Sequence, residues 1–190
     1  KTSIPTMKLL LRTAAPILVC AAALLSPAAA LAAEPSAADR ETARTLVVEG
    51  RKKFGAGDYE GARKAFQAAH EIMGVPTTGL DLAKALEKLG KLVEARTVAL
   101  EVARIPAKPR EPQAFTEARP AAQELAEKLE SRIPALEFKI EGPPADALAV
   151  KVDGEDVPAS ALSFPRKVNP GTHTVEAAAE GWKSASTEVT

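Results

Sequence analysis

Two stretches of the chain superpose on each other at a spacing of 33 residues. Gly57-Asp58-Tyr59-Glu60-Gly61-Ala62 aligns with Gly90-Lys91-Leu92-Val93-Glu94-Ala95. Leu46, Gly50 and Phe54 lead into the first stretch, and Phe66 and Ala69 follow it; Leu82, Leu86 and Leu89 lead into the second, and Ala99 and Ala103 follow it. A period in the low thirties with small residues at fixed offsets predicts one helix-turn-helix unit used twice. Small side chains at Gly50 and Ala62 let the two helices of a unit approach closely, while Phe54, Tyr59 and Phe66 fill the space beside that contact. Gly57 and Gly90 adopt a left-handed backbone at low cost and end the first helix of each unit.

The pattern resembles the tetratricopeptide repeat, with Gly or Ala at Gly50 and Ala83 and small residues at Ala62/Ala95 and Ala69/Ala103. The first unit matches well. The second departs from the pattern, since Leu92 replaces the aromatic and Ala99 the bulky residue at the Phe66 position. The resemblance implies a scaffold that holds another polypeptide. The bland alternative is an amphipathic helical hairpin of no particular family.

Residues 1–32 read as a secretory signal peptide, with residues 1–6 an upstream remnant before Met7. Lys8 and Arg12 precede the apolar run 14–25, and Ala30-Leu31-Ala32 forms a small-residue cleavage site before Ala33. A transmembrane anchor is the alternative, but Pro16, Ser26 and Pro27 interrupt the run. Cys20 is the only cysteine, so no internal disulfide is possible. Leu18-Val19-Cys20 is a poor lipoprotein signal, because Val19 stands where a small residue is wanted and the apolar run continues past Cys20. Export is therefore expected to the periplasm or cell surface through the cleavable leader, with lipidation at Cys20 the disfavoured route.

The whole sequence carries 25 basic and 25 acidic residues. Removing Lys1, Lys8 and Arg12 with the leader leaves 22 against 25, a net charge of −3. With no basic block and only seven aromatic side chains, the chain offers nucleic acid no footing. The alternation at Thr187-Glu188-Val189-Thr190 stops without a closing turn, which predicts that the protein continues beyond it. Any membrane contact is then expected only through an anchor outside this chain.

Between these ends the chain reads as α+β, helical hairpin repeats followed by a small antiparallel β-sandwich. The two repeats span residues 38–104. Ser36 with Asp39 resembles a capping box and opens a first helix that runs to about Ala56. Further helices are expected over about Tyr59–Met73, Thr78–Leu89 and Val93–Arg104. Residues 105–133 form a connection stiffened by Pro106, Pro109 and Pro112, then a capping helix marked by Phe115, Ala118, Ala122, Leu125, Leu129 and Ile133. Pro120 lies inside that stretch and predicts a kink or a restart.

From residue 134 to 190 the period falls to 2. Leu136, Phe138 and Ile140 alternate with charged residues, as do Leu148, Val150 and Val152 with their neighbours. Asp153-Gly154 is a hairpin signal, and Asn169-Pro170-Gly171-Thr172 a second turn. His173, Val175, Ala177 and Ala179 share one strand face, and Glu180-Gly181-Trp182 turns into a last strand. The segments Val150 to Gly154, Asn169 to Val175 and Glu180 to Trp182 resemble the PEGA domain, a small β-sandwich of bacterial surface and envelope proteins. The named tetrapeptide is not intact and the final strand is incomplete. Repeats, sandwich and leader together resemble exported envelope proteins of Gram-negative bacteria, myxobacteria first among them.

No local catalytic signature is present. His70 and His173 lie in different regions without ligand-spaced partners, so both are expected to be structural or surface residues, and neither a metal nor a cofactor is expected. Gly55-Ala56-Gly57-Asp58 follows a helix and sits where the repeat turn belongs, so it is no phosphate loop. The repeat resemblance implies a concave groove lined by the first helix of each unit. By register its positions are Arg44, Val47, Arg51 and Phe54, then Leu80, Lys84, Glu87 and Lys88. Arg51 and Lys84 match each other and suit a peptide carboxylate, although solvated charges on an amphipathic helix satisfy the same pattern. Trp182 follows a turn, where an aromatic either stacks on a sugar ring or plugs the edge of a small sandwich core. The expectation is an exported non-catalytic scaffold that binds an envelope protein or peptide. The alternative is a module for cell-wall polymer or other carbohydrate, with the repeats as spacer.

Overall fold

The computed structural model describes residues 34–144 and 147–190. The stretch expected to be a leader, with its expected cleavage site, Met7 and Cys20, lies outside the described residues. The remainder is α+β: five helices followed by two small antiparallel sheets.

The first two helices start where a side chain terminates their free N–H groups, and the later ones start without one. Helix α1 (Ala37–Gly55) opens with the expected capping box, in which Ser36 Oγ accepts from the Asp39 N–H and Asp39 accepts from the Ser36 N–H. Helix α2 (Tyr59–Met73) is capped by Asp58, whose carboxylate accepts from the Gly61 N–H at 2.8 Å. Helix α3 (Pro76–Lys88) begins two residues before expectation because Pro76 takes the first helical position, where its missing N–H costs nothing. Helix α4 (Leu92–Arg104) follows Lys91, which has no acceptor to offer.

The two turns that lie 33 residues apart have the same backbone geometry. Ala56 and Leu89 share φ values of −84° and −83°, and Gly57 and Gly90 follow at +81° and +75°. The hydrogen bonds repeat as well, with Asp58 N to Lys53 O and Lys91 N to Leu86 O both at 3.0 Å. Packing repeats with compensation. A Cβ on Gly50 would lie 2.6 Å from the Phe66 ring, so only glycine fits opposite that phenylalanine. In the second unit Ala83 and Ala99, both fully buried, take those two positions. One register is corrected: Val102, at 0 % exposure, is the equivalent of Ala69, and Ala103 is only half-buried.

Helix α5 (Gln113–Glu130) packs on α3 and α4 through Ala118, Ala122, Ala126 and Leu129. It neither stops nor restarts at Pro120. Pro120 and Thr116 are both exposed, so the Thr116 carbonyl that loses its partner sits on the solvent side. The connection before α5 is tied down by Arg119, which donates to the Ile105 carbonyl at 2.7 Å and pairs with Glu111 at 2.6 Å. That guanidinium holds the Glu111 carboxyl down to about 2.

Strands β1 (Ala135–Leu136) and β4 (Arg166–Lys167) form a two-stranded sheet; β2 (Leu148–Val152), β3 (Glu155–Val157), β5 (His173–Ala179) and β6 (Ala185–Val189) form a second in the order β3-β2-β5-β6. The β2–β3 hairpin turns at Asp153 and Gly154 with φ of 53° and 83°, as a two-residue primed turn requires. The strand expected over 136–140 is corrected: its ladder ends at Leu136, and 137–140 run on unpaired in any sheet. Val150, Val152, Val157, Leu162 and Val168 make the β core. Among the described residues no helix is long and apolar enough to cross a membrane.

Candidate functional site

The face shared by α1 and α3 holds a pocket of about 160 Å³ lined by Arg51, Phe54, Gly55, Phe66, Asp81 and Lys84. Three of the eight groove positions meet there. The Arg51 guanidinium donates from Nη2 and Nε to Asp81 Oδ2 at 2.9 and 3.2 Å. Phe54, half-buried, stands edge-on to Tyr59 with ring centroids 5.2 Å apart, and Phe66 closes the inner wall. Lys84 is exposed and makes no ion pair among the described residues.

The other five groove positions are placed differently. Leu80 is 8 % exposed and belongs to the core formed with α4 and α5, so it presents nothing to a partner. Glu87 turns to Arg132 beyond the end of α5 and forms an ion pair with it. Arg44 is exposed and paired with Glu41 on its own helix, Val47 is half-buried, and Lys88 is exposed. Asp81 and Phe66 complete the pocket without having been expected there. Asp81 aligns with Val48, so the repeat gives it no counterpart, and its role follows only from how α3 lies against α1.

A second polar cluster joins the β region to α4. The side-chain oxygen of Asn169 accepts from the Val93 N–H at 2.9 Å, and its amide donates to Glu94 Oε2 at 2.8 Å. His173 closes the turn behind it, with Nε2 at 2.6 Å from the Asn169 carbonyl and Nδ1 at 2.6 Å from Asp153 Oδ2. Asp153 Oδ1 accepts from the Thr174 N–H at 2.9 Å, fixing the start of β5. The Asp153 carboxylate, and then the Asn169 carbonyl, raise His173 above its ordinary value.

No family model matches the chain, and neither a curated protein nor a solved structure is significantly similar to it.

His70 contrasts with His173. Thr78 Oγ1 donates to the Val75 carbonyl and lies 2.9 Å from His70 Nδ1, so the ring nitrogen is the donor in that pair. Burial pushes His70 below its ordinary value. Among the described residues no three His, Cys, Asp or Glu side chains converge to hold a metal. Trp182 is 56 % exposed and stands outside the β core, with its ring against Gly142.

Proposed function

We propose that the protein is an exported, non-catalytic scaffold of the cell envelope that binds a protein partner on the α1/α3 face. The helices act as tetratricopeptide-like hairpins and the β region as a PEGA-like sandwich that spaces or docks them. The observation that carries the reading is the Arg51–Asp81 pair beside Lys84, in a pocket walled by Phe54 and Phe66. A guanidinium already holding one carboxylate, next to an unpaired ammonium and two aromatic rings, suits a peptide with an acidic residue or a free C-terminal carboxylate flanked by an apolar side chain. Two units give a short groove, so the affinity expected of a peptide alone is modest.

The test is capture from an envelope extract by the chain and by the Arg51→Glu/Lys84→Glu variant. A protein retained by the parent and lost from a variant that is still helical supports the scaffold. Equal retention by both moves the function away from this face. Turnover in a broad ester, peptide and glycoside screen overturns the non-catalytic part.

The exposure of Trp182 favours a second reading, in which the β region binds wall polymer by stacking a sugar on that ring. Binding to purified sacculi that Trp182→Ala abolishes without unfolding the protein selects this reading over the first.

A further inference from the structure

Asn169 is the only asparagine in the chain, and it caps a helix that is not its own. At the equivalent place 33 residues earlier, Asp58 caps α2 from the adjoining turn. Lys91 cannot do this for α4, and the acceptor arrives from the turn between β4 and β5. The Val93 N–H is the second of α4, so it has no partner within its helix. Its hydrogen bond therefore reports whether the β region is seated on α4.

His173 braces the turn that carries this seat. Its two ring nitrogens face an ionised carboxylate and a backbone carbonyl, each at 2.6 Å, and both of these groups only accept. An imidazolium satisfies the two together; a neutral imidazole has one N–H and must give up one of them. We propose that His173 is a pH-operated clasp: charged, it holds the Asn169 turn in place to cap α4, and neutral, it lets the turn and the β region loosen from the helices.

The surroundings support a charged ring that solvent protons can reach. The side chain retains 13 % of its exposure. Asp153 faces it directly, and Glu94 on α4, Glu155 on β3, and Arg166 and Lys167 on β4 line the same hollow. Glu188 on β6 stands across from Thr174, the next residue. Arg166 and Lys167 oppose the ring's charge, but Arg166 is drawn to Glu155 at 3.3 Å. The ring titrates above its ordinary value, so the clasp is closed on the acid side and opens as the pH rises through the folded-state value.

The experiment is solvent-exchange NMR of the full chain across pH, following the His173 ring and the Val93 amide together. After correction for intrinsic exchange, Val93 protection is expected to fall about fivefold across the His173 titration, the effect of losing one hydrogen bond to a neutral amide oxygen. The Gly61 amide, capped by Asp58, is expected to stay flat. Asp153→Asn lowers the His173 titration and carries the Val93 midpoint down with it. Flat Val93 protection in the parent chain overturns the proposal whatever the variant does. A folded Asp153→Asn protein whose Val93 midpoint stays in place overturns it too.

Discussion

The helical and β regions solve the same problem of burial by different means. In the helical region, sixteen buried residues form two adjoining clusters, fifteen of them on α2 to α5 and the last, Ile133, just beyond α5, and every neighbouring pair of helices packs face to face. The β region buries five residues, and its outermost strand β6 is exposed along almost its whole length. The helical core closes on itself, since its clusters draw on α2, α3, α4 and α5 together. The β core is small, and Asn169 ties its β4–β5 turn to α4.

The contrast is tested first in the two cores. Phe66 is 2 % exposed and sits opposite a glycine that nothing else can fill; Phe66→Ala is expected to cost about 4 kcal/mol. Val150, at 1 % exposure, loses fewer atoms on Val150→Ala, for a cost of about 2 kcal/mol. Denaturant unfolding followed by far-ultraviolet circular dichroism measures the first, and amide exchange in β2 and β5 the second. Equal losses of protection in both regions from either substitution would mean a single cooperative unit and would erase the contrast.

The caps sharpen it. Asp58→Ala and Asn169→Ala each remove one N-terminal hydrogen bond from a helix, worth about 1 kcal/mol. The first should weaken α2 and leave the β amides untouched. The second should weaken α4 and β5 together, and the two regions should then unfold at separate denaturant midpoints. Coincident midpoints in Asn169→Ala would show that the regions are held together by something other than this turn.

These same residues show what a sequence can and cannot convey. The Gly57 and Gly90 turns were legible because a left-handed residue is a local demand with a local solution, and Asp153-Gly154 was legible for the same reason. Helix α2 begins and ends where its cap and its terminal glycine put it. The alternation beyond Leu136 predicts a strand that does not form, because alternation specifies a face and says nothing of a partner to pair with. Register alone points Leu80 to the groove, while the packing of α4 and α5 buries it. The pairing of Asp81 and the capping of α4 by Asn169, beyond the turn it opens, have no sequence signal, since each acts on a residue in another element. The Arg51–Asp81 pair spans 30 residues and the Asn169–Val93 bond 76, and no local pattern encodes either.

The smallest expected effect is the one in which the two regions should disagree in sign. His173 has a raised folded value, so its contribution is complete below the unfolded value of about 6.5 and is lost as the pH rises through the folded one. His70 has a depressed folded value because burial disfavours its charged form. It costs nothing at alkaline pH, and it destabilises progressively as the pH falls below about 6.5 towards the folded value. On acidification through these two titrations, α2 amides should therefore lose protection while those at the start of β5 gain it. His70→Gln should remove the first trend alone, and His173→Gln the second. Trends of the same sign in both regions would mean that one histidine governs the whole molecule, and the distinction between a self-contained helical region and a leaning β region would fail at its most sensitive point.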